Sequence, residues 1–467
     1  MERINRNRKK TKVMLVFPPF SQPVASKKRC LVPLGIAYIG AHLREKGHEV
    51  KLLDCVVEGY HDERVSGNKR TFGLSPLKIN REIAEFEPDI LGVSCLMTVQ
   101  EQNALNVLKT AKIHNPHVHT VIGGCHASVF YKRLKKNPLI DTVVVGEGEK
   151  AFEEIIDKRR KGVIKRCPMD INKIPPPARD LLPIEKYLEI NMPENIFSPN
   201  KRVTQMVTSR GCPFHCVFCA TTNFHGKWRG TKAEKVIQEA EGLVDNYNID
   251  EINIIDENLV FDKNRTKEIM KGFKKLDIAW SNPGGIWIQG LDNELLTLMK
   301  EAGCYQLTFP VESSNPKILK EVIRKPLDIK VVKPLVKHSH KIGIDIHAFF
   351  VCGFPQQSKQ DMINDFNYAK EVGFDSASFH IITPLPGSEI YEKYKDKVDL
   401  KNIDYTKATL PHPELSPEEI EDLVKEFNIK FNKSYFWRHP MKFMKKYVGT
   451  SMKKYSIWDL PKMFERQ

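Results

Sequence analysis

The feature that most constrains the fold of this chain is a repeated alternation of short apolar segments with amphipathic ones. Along residues 13–150 the apolar segments have the length of buried strands, and a stretch such as Gly35–Lys46 has a helical pattern that a glycine ends. The predicted strands are Lys12–Pro18, Glu49–Asp54, Asp89–Ser94, Val118–Gly123 and Thr142–Gly146. This spacing predicts an α/β domain with a doubly wound parallel (Rossmann-like) sheet, whose ligands bind beyond the carboxyl ends of the strands.

A second series of strand–helix units begins at Arg202. Its predicted strands are Val203–Thr208, Glu251–Ile255, Gln306–Phe309, Asp345–Val351 and Ser376–Ile381. Units of this kind repeated over about 200 residues predict a closed or partly closed, TIM-like α/β barrel. A charge run and several prolines predict a linker between the two series. The expected organisation is a basic arm (1–12), a first domain (13–156), a linker (157–200), a second domain (201–395) and a helical, basic and aromatic C-terminal region (396–467).

The net charge of +15 over 467 residues lies mostly at the two ends of the chain. Residues 1–12 hold six Lys/Arg and one acid, and residues 430–467 hold ten Lys/Arg and two acids. The body of the chain is nearly neutral, so a nucleic-acid partner is not expected. No apolar run reaches the ~18 residues of a membrane span, and no secretory signal is recognised, so we expect a cytoplasmic protein.

The C-terminal segment 430–467 combines its basic residues with nine aromatic ones. The first interpretation is a cap that packs its aromatic rings on the barrel and keeps its lysines in water. The second is peripheral contact with an anionic membrane surface, which would make the protein membrane-associated. Stacking on single-stranded nucleic acid comes third.

Three of the ten cysteines, Cys212, Cys216 and Cys219, form a CxxxCxxC pattern directly after a predicted strand. Thiolates are soft ligands that favour iron–sulfur clusters or zinc. Structural zinc takes four ligands, usually as two pairs, and no second pair follows. Three thiolates on a four-iron cluster leave one iron open to a substrate or cofactor. A coincidental group of thiols or a structural metal site is the alternative.

The cysteine pattern resembles the signature of the radical S-adenosylmethionine (SAM) superfamily. In that family SAM chelates the open iron of a [4Fe–4S] cluster, and an electron from a donor such as flavodoxin or ferredoxin cleaves SAM to a 5′-deoxyadenosyl radical. The resemblance implies that Cys212, Cys216 and Cys219 are the catalytic, cluster-binding residues. It also implies SAM contacts from the aromatic residue before the last cysteine, from polar residues at later strand ends and from a glycine turn. These residues are Phe218, Asp256, Glu257, Glu312, Ser313 and Gly353.

Residues 13–155 resemble the cobalamin-binding domain that precedes the radical SAM domain in one large subgroup. Small residues after several strands fit this resemblance, because a backbone must approach a flat corrin closely. The implied cobalamin contacts are Ser94, Thr98, Gly123, Gly124, His126, Gly146 and Glu147. The cobalt-ligating DxHxxG loop of cobalamin mutases is absent, so we expect His126 to contact the nucleotide tail or to pack. A generic nucleotide-type α/β domain is the alternative.

Together the two resemblances imply a cobalamin-dependent radical SAM methyltransferase that methylates an unactivated carbon through a 5′-deoxyadenosyl radical and methylcobalamin. The expected cofactors are the [4Fe–4S] cluster, SAM and cobalamin, and the substrate is expected to be a small molecule or lipid-like. A first alternative is an oxidative cyclase or rearrangement enzyme, because the chain is also similar to anaerobic magnesium-protoporphyrin ester cyclases. A second is a non-catalytic carrier of cobalamin or an iron–sulfur cluster.

Overall fold

The computed structural model describes residues 10–165, 168–190, 198, 202–400 and 404–438. The chain divides into two compact units between residues 192 and 193, with residues 400–402 grouped with the first. Each unit is built on a six-stranded parallel sheet. The predicted α/β class, with two successive parallel-sheet domains, is therefore confirmed.

The first unit contains nine strands and seven helices among its described residues. The strands are β1 (Lys12–Phe17), β2 (Phe20–Pro23), β3 (Glu49–Asp54), β4 (Glu63–Ser66), β5 (Lys69–Phe72), β6 (Ile90–Ser94), β7 (His119–Gly123), β8 (Thr142–Val145) and β9 (Gly162–Lys165). The helices are α1 (Leu34–Glu45), α2 (Cys55–Glu58), α3 (Pro76–Phe86), α4 (Glu101–His114), α5 (Cys125–Leu134), α6 (Glu149–Lys158) and α7 (Ile184–Ile190). The parallel sheet has the order β3-β1-β6-β7-β8-β9. The strand order reverses between β1 and β6, which is where doubly wound sheets bind ligands.

Alternating side chains on β1 and β6 pack against helices on opposite faces of this sheet. Met14 and Val93 belong to a core that also includes residues of α3, α4 and α5, such as Leu108. On the other face, Gly92 makes room for the ring of Phe152 on α6, which would lie 2.7 Å from a Cβ at that position. Both faces are thus buried, which explains why the strands are apolar throughout rather than alternating.

Two parts of the first unit differ from the sequence prediction. Strands β2, β5 and β4 form an additional antiparallel sheet, whose short and largely polar strands were not predicted. Strand β9 pairs in parallel with β8 at the sheet edge, although it lies inside the range predicted to be a linker. The prolines of that range all follow β9, so they do not prevent it from pairing.

The second unit contains eight strands and eight helices among its described residues. The strands are β10 (Val203–Met206), β11 (Ser209–Arg210), β12 (Arg229–Gly230), β13 (Glu251–Ile254), β14 (Ala279–Asn282), β15 (Cys304–Glu312), β16 (Asp345–Cys352) and β17 (Ser376–Ile381). The helices are α8 (Thr221–Phe224), α9 (Ala233–Tyr247), α10 (Lys263–Leu276), α11 (Asn293–Glu301), α12 (Val332–Ile342), α13 (Lys359–Val372), α14 (Glu389–Tyr394) and α15 (Pro417–Arg438). The parallel sheet has the order β10-β13-β14-β15-β16-β17, with β10 and β17 at its edges.

The two faces of this second sheet differ in polarity. Register places Thr308, His347 and Ser376 side by side on one face of β15, β16 and β17. The next residue along each strand is apolar and fully or almost fully buried, as Phe309, Ala348 and Ala377 are. The apolar face packs on helices, and the polar face is left for the interior of the partial barrel.

Helix α15 covers the open edge of β17. The side-chain amide of Asn428 accepts a hydrogen bond from the backbone of Phe379 at 2.9 Å and donates one back at 2.8 Å. Asn432, one turn later, does the same with Ala377. These amides replace a neighbouring strand, which protects an edge that could otherwise pair with another chain.

The start of the C-terminal segment packs as a cap, since Phe431 is fully buried against Phe366 and Phe379. Its remaining aromatic side chains, and therefore the membrane and nucleic-acid interpretations, lie outside the described residues, as does most of the basic arm. In the part of the chain that is described, no helix is both long and apolar enough to cross a bilayer.

Candidate active site

The three clustered cysteines lie on a loop whose base is closed by pairing of β11 with β12. The loop starts at Gly211, which has a φ of +84°. A Cβ at Gly211 would lie 2.7 Å from the carbonyl oxygens of Gly226 and Lys227. Both the backbone conformation and the lack of space therefore require glycine before Cys212.

The thiols of Cys212, Cys216 and Cys219 are half-buried and close enough to influence one another electrostatically. Burial raises the pKa of Cys216 to about 11, and negative charge on Cys219 and Cys212 acts in the same direction. Burial likewise raises the pKa of Cys212, with a contribution from Cys219. Three thiolates at these positions would repel each other, so the arrangement suits a cationic centre that neutralises them.

Backbone hydrogen bonds hold the cysteine loop against later parts of the second unit. The Val217 amide donates to the carbonyl of Ile323 at 3.0 Å, and the Val217 carbonyl accepts from the Ile390 amide at 3.1 Å. Ile323 ends a π-helical turn, Ile318–Ile323, of a kind that often marks functional sites. Phe218 packs against Phe354, with the ring centres 6.4 Å apart.

The two acids that follow β13 have different surroundings. Asp256 is buried and accepts hydrogen bonds from the Thr208 amide, the Thr208 hydroxyl and the Ser209 hydroxyl, each at 2.6 Å. Glu257 is partly exposed, accepts from the Gly211 amide at 3.3 Å and lies 3.5 Å from His225. The carboxylate of Asp256 thus holds the segment before the cysteine loop, and Glu257 is the acid that faces the loop.

Asn258 is a buried residue of the cysteine site. Its side-chain amide lies beside Cys212 and counteracts the effect of burial on the pKa of that thiol. Neither its Nδ2 nor its Oδ1 makes a regular hydrogen bond to another described group. An amide without such partners beside a thiolate position could donate a hydrogen bond to a metal-bound sulfur.

The end of β15 brings a buried ion pair to the cysteines. Glu312 has a φ of +69°, which is unusual for a residue other than glycine. The Lys325 ammonium lies 3.2 Å from its carboxylate. Both charges influence the Cys216 thiol, Lys325 lowering its pKa and Glu312 raising it. Two opposite charges therefore lie close to the cysteine loop.

The other predicted SAM contacts, Ser313 and Gly353, belong to one buried network. The Ser313 hydroxyl donates to Asp365 at 3.1 Å, and the Gly353 amide donates to Gln357 at 2.9 Å. Gly353 has a φ of +86°, which favours glycine at this turn. The hydroxyl of Ser313 therefore contacts protein, while its backbone remains at the strand end.

In the first unit, the predicted cobalamin residues lie at the carboxyl ends of β6 and β7 or in the segments that follow β6, β7 and β8. Gly124 has a φ of +102°, and a Cβ there would lie 2.6 Å from the Cys95 carbonyl oxygen. The Ser128 hydroxyl donates to the Gly124 carbonyl at 2.8 Å and accepts from the Gly146 amide at 3.0 Å, which joins two of the loops. The structure thus brings Ser94, Thr98, Gly123, Gly124 and Gly146 together at the carboxyl ends of β6, β7 and β8, with Glu147 buried next to them.

His126 is buried within the first unit, with both ring nitrogens occupied. Nδ1 lies 3.1 Å from the Thr98 hydroxyl, and Nε2 lies 2.6 Å from a carboxylate oxygen of Glu101, which also pairs with Arg133. Both ring nitrogens thus have partners within the protein, and contact of His126 with the nucleotide tail stays a prediction. The histidine also engages the Thr98 hydroxyl within the protein.

Several residues of the site were not predicted from the sequence, notably Asn258, Lys325 and Asp365. Two histidines on the polar face of the second sheet, His347 and His380, were also missed, although polar residues alternating with apolar ones in β16 and β17 could have indicated them. The His347 nitrogens contact the hydroxyls of Ser376 at 2.7 Å and Ser378 at 3.1 Å.

Among the described residues, no group of three or more His, Cys, Asp or Glu side chains is arranged to hold a single metal ion.

A doubly wound unit with glycine loops, followed by a partial barrel whose loop carries three cysteines, is the architecture of a two-domain radical SAM enzyme. Residues 23–156 match the B12 binding domain family, and residues 206–369 match the Radical SAM superfamily. A cytidylyl-2-hydroxyethylphosphonate methyltransferase of Streptomyces wedmorensis is 34% identical over 91% of this chain and 90% of its own length. The chain belongs to the family of B12-binding radical SAM methyltransferases, whose cofactors are a [4Fe–4S] cluster, SAM and cobalamin.

Two further similarities are to methyltransferases, and a third is to a cyclase. An uncharacterized methyltransferase of Pyrococcus horikoshii is 31% identical over 90% of this chain and 92% of its own length. The radical SAM methyltransferase TsrM from Kitasatospora setae, solved with cobalamin and a [4Fe–4S] cluster, has a TM-score of 0.64 at 14% identity and covers 90% of this chain and 82% of its own. That structural likeness shows the fold. An anaerobic magnesium-protoporphyrin IX monomethyl ester cyclase of Rubrivivax gelatinosus is 25% identical over 88% of this chain and 74% of its own length.

Proposed function

We propose that this protein transfers a methyl group to an unactivated carbon of a polar small molecule, with the cluster held by Cys212, Cys216 and Cys219. The observation that carries the proposal is the grouping of these three thiols on one loop, within electrostatic range of each other and of the Glu312–Lys325 pair. When bound, the cluster and SAM supply a hydrogen-abstracting radical, and cobalamin supplies the methyl group.

The residues around the cysteines fit a cluster that carries SAM. Asn258 offers a buried amide to a cluster sulfur, and hydrogen bonds of this kind adjust the reduction potential of iron–sulfur centres. Glu312 and Lys325 present a negative and a positive charge, which suits the amino and carboxylate groups of SAM. Phe218 offers an aromatic surface to the adenine, and Glu257 a further carboxylate beside the loop.

The loops of the first unit fit cobalamin. Gly123, Gly124 and Gly146 keep the edge of the sheet free of side chains, which lets a flat macrocycle approach the backbone. The exposed side chains of Leu96 and Met97, 43% and 37% accessible, offer an apolar surface on the loop after β6. Ser94 offers a short hydrogen-bonding group on the same edge. His126 supports these loops through Thr98 and Glu101 instead of offering a free nitrogen.

The polar face of the second sheet favours a polar small-molecule substrate over a lipid-like one. His347, Ser376 and Ser378 form a hydrogen-bonded surface, and burial lowers the pKa of His347 to about 3, so its ring is neutral. His380 follows on the same face, near the carboxyl end of β17, with its ring packed edge-on to Phe349 at 5.3 Å. Neutral hydrogen-bonding groups of this kind can orient a polar substrate.

The reducing electron would come from a flavodoxin or ferredoxin. Peripheral membrane contact remains a separate prediction for the C-terminal region.

The test is anaerobic reconstitution with iron, sulfide and hydroxocobalamin, followed by reduction and incubation with SAM that carries a deuterated methyl group. Mass spectrometry should detect 5′-deoxyadenosine and a deuterated methyl group on the bound cobalamin, and Cys216→Ala should lose the 5′-deoxyadenosine. With candidate substrates, methyl transfer gives S-adenosylhomocysteine and a labelled product, whereas oxidative cyclisation gives neither. A protein that binds cluster and corrin but leaves SAM intact under strong reductant would instead be a carrier.

A further inference from the structure

Helix α13 places a buried carboxylate at the end of β15. Asp365, in the middle of that helix, is fully buried. Its Oδ1 accepts hydrogen bonds from the Ser314 amide at 2.5 Å, the Ser314 hydroxyl at 2.6 Å and the Ser313 hydroxyl at 3.1 Å. All three donors are neutral groups of Ser313 and Ser314, which follow β15. They satisfy one of the two carboxylate oxygens of Asp365.

The second oxygen of Asp365 reaches the next strand through a glutamine. Its Oδ2 accepts from the Gln357 side-chain amide at 3.0 Å. The side-chain oxygen of Gln357, Oε1, in turn accepts from the backbone amide of Gly353 at 2.9 Å, in the turn that follows β16. Gln357 is also buried. One carboxylate therefore connects the backbone after Glu312 with the backbone at Gly353.

We infer that Asp365 is a positioning residue for SAM: through Ser313, Ser314 and Gln357 it sets the relative position of the two strand ends that carry Glu312 and Gly353. This inference rests on the proposed function, which gives those strand ends to SAM. An apolar side chain could fill the same space, but it would leave four donors without an acceptor. The two turns would then no longer be joined by hydrogen bonds to one group.

The cost of this arrangement supports a role beyond packing. Burial raises the pKa of Asp365 to about 6, against the hydrogen bonds from Ser314 and Ser313 that lower it. A buried charge with neutral donors alone is a costly way to join two loops, and satisfied polar networks give a single, well-defined geometry in return.

The network allows a test by exchange of donor and acceptor. Asp365→Asn keeps the shape but turns an amide toward the Gln357 amide, so two donors face each other. Adding Gln357→Glu restores an acceptor at that point and keeps an acceptor for the Gly353 amide. We expect Asp365→Asn to weaken SAM binding by about 10- to 100-fold and the double variant to recover most of that loss.

The measurement is equilibrium binding of radiolabelled SAM to reconstituted full-length protein, together with iron content and the electron paramagnetic resonance signal of the reduced cluster with and without SAM. Iron content should stay at the wild-type level in both variants. The matched control is Asp375→Asn, because Asp375 is an equally buried carboxylate at the opposite end of β16 and β17, where it accepts from Ile346 and His340. The control should lower the melting temperature and leave SAM affinity within about twofold of the wild type.

Two results would overturn the inference. One is unchanged SAM affinity in Asp365→Asn, and the other is a double variant that recovers no affinity. Failure of the proposed function has a different signature, since wild-type protein with a full cluster would then bind no SAM at all.

Discussion

Replacing Lys325 by methionine tests the buried ion pair beside the cysteine loop. The Lys325 and Glu312 side chains are 14% and 8% exposed, and their charged atoms are 3.2 Å apart. Methionine has a similar length and no charge, so the variant leaves the Glu312 carboxylate buried without its cation. Removing one partner of a buried pair costs about 3–5 kcal/mol. The second unit has about 270 residues, and its unfolding entropy is about 2.1 cal/mol/K per residue, so each kcal/mol lowers the melting temperature by roughly 2 °C. The expected fall is therefore roughly 5–9 °C.

Differential scanning calorimetry of the anaerobic, metal-free protein measures this fall in the transition of the second unit. The double variant Glu312→Gln with Lys325→Met removes both charges and should recover most of the melting temperature. Lys333→Met is the matched control, because the side chains of Lys333 and its partner Glu371 are 57% and 65% exposed. This variant should change the melting temperature by less than about 2 °C. If Lys325→Met melts as the control does, the carboxylate is solvated and the reasoning about this pair is wrong.

Three further predictions concern the cysteine loop and the first unit. Gly211→Ala should cut the iron content of reconstituted protein several-fold, because its Cβ would lie 2.7 Å from two carbonyl oxygens, whereas the control Gly226→Ala, with φ of +69° and open space, should retain most of it. Asn258→Ala should weaken cluster retention about 10- to 100-fold, measured as the rate at which a chelator removes iron. If the variant loses iron at the wild-type rate, the Asn258 amide does not contribute to holding the cluster. Burial raises the pKa of Asp54 to about 7, above an unfolded value of about 3.9, so the stability of the first unit should fall by up to about 4 kcal/mol as pH rises from 4 to 7. Urea unfolding should show this slope for the wild type and a flatter one for Asp54→Asn.

The strand pattern could be predicted from the sequence where a short segment carries a run of apolar residues or an alternation of apolar and polar ones. Strands β3 and β17 have the predicted bounds, Glu49–Asp54 and Ser376–Ile381. Strand β14, Ala279–Asn282, was missed because it is short and half polar, and its burial comes from the strands on either side. Strands β4 and β5 were missed for a related reason, since β4 is exposed, β5 is largely polar, and their pairing depends on a turn and on β2.

The sequence by itself determined the class of protein. The periodicity of the two strand series specifies two parallel sheets, and the spacing of Cys212, Cys216 and Cys219 is a local property that needs no tertiary information. Both signals lie within one segment at a time, which is why they can be recognised in the chain alone.

Only the tertiary structure decided what each polar side chain at a strand end contacts. Asp256 and Glu257 are neighbours in sequence, yet one is bound by Thr208 and Ser209 and the other faces the cysteine loop. His126 looks like a ligand residue beside two glycines, and it is occupied by Thr98 and Glu101. Adjacent side chains leave the backbone in different directions, and their partners come from residues 25 or more positions away. The direction and the partner exist only once the chain has folded.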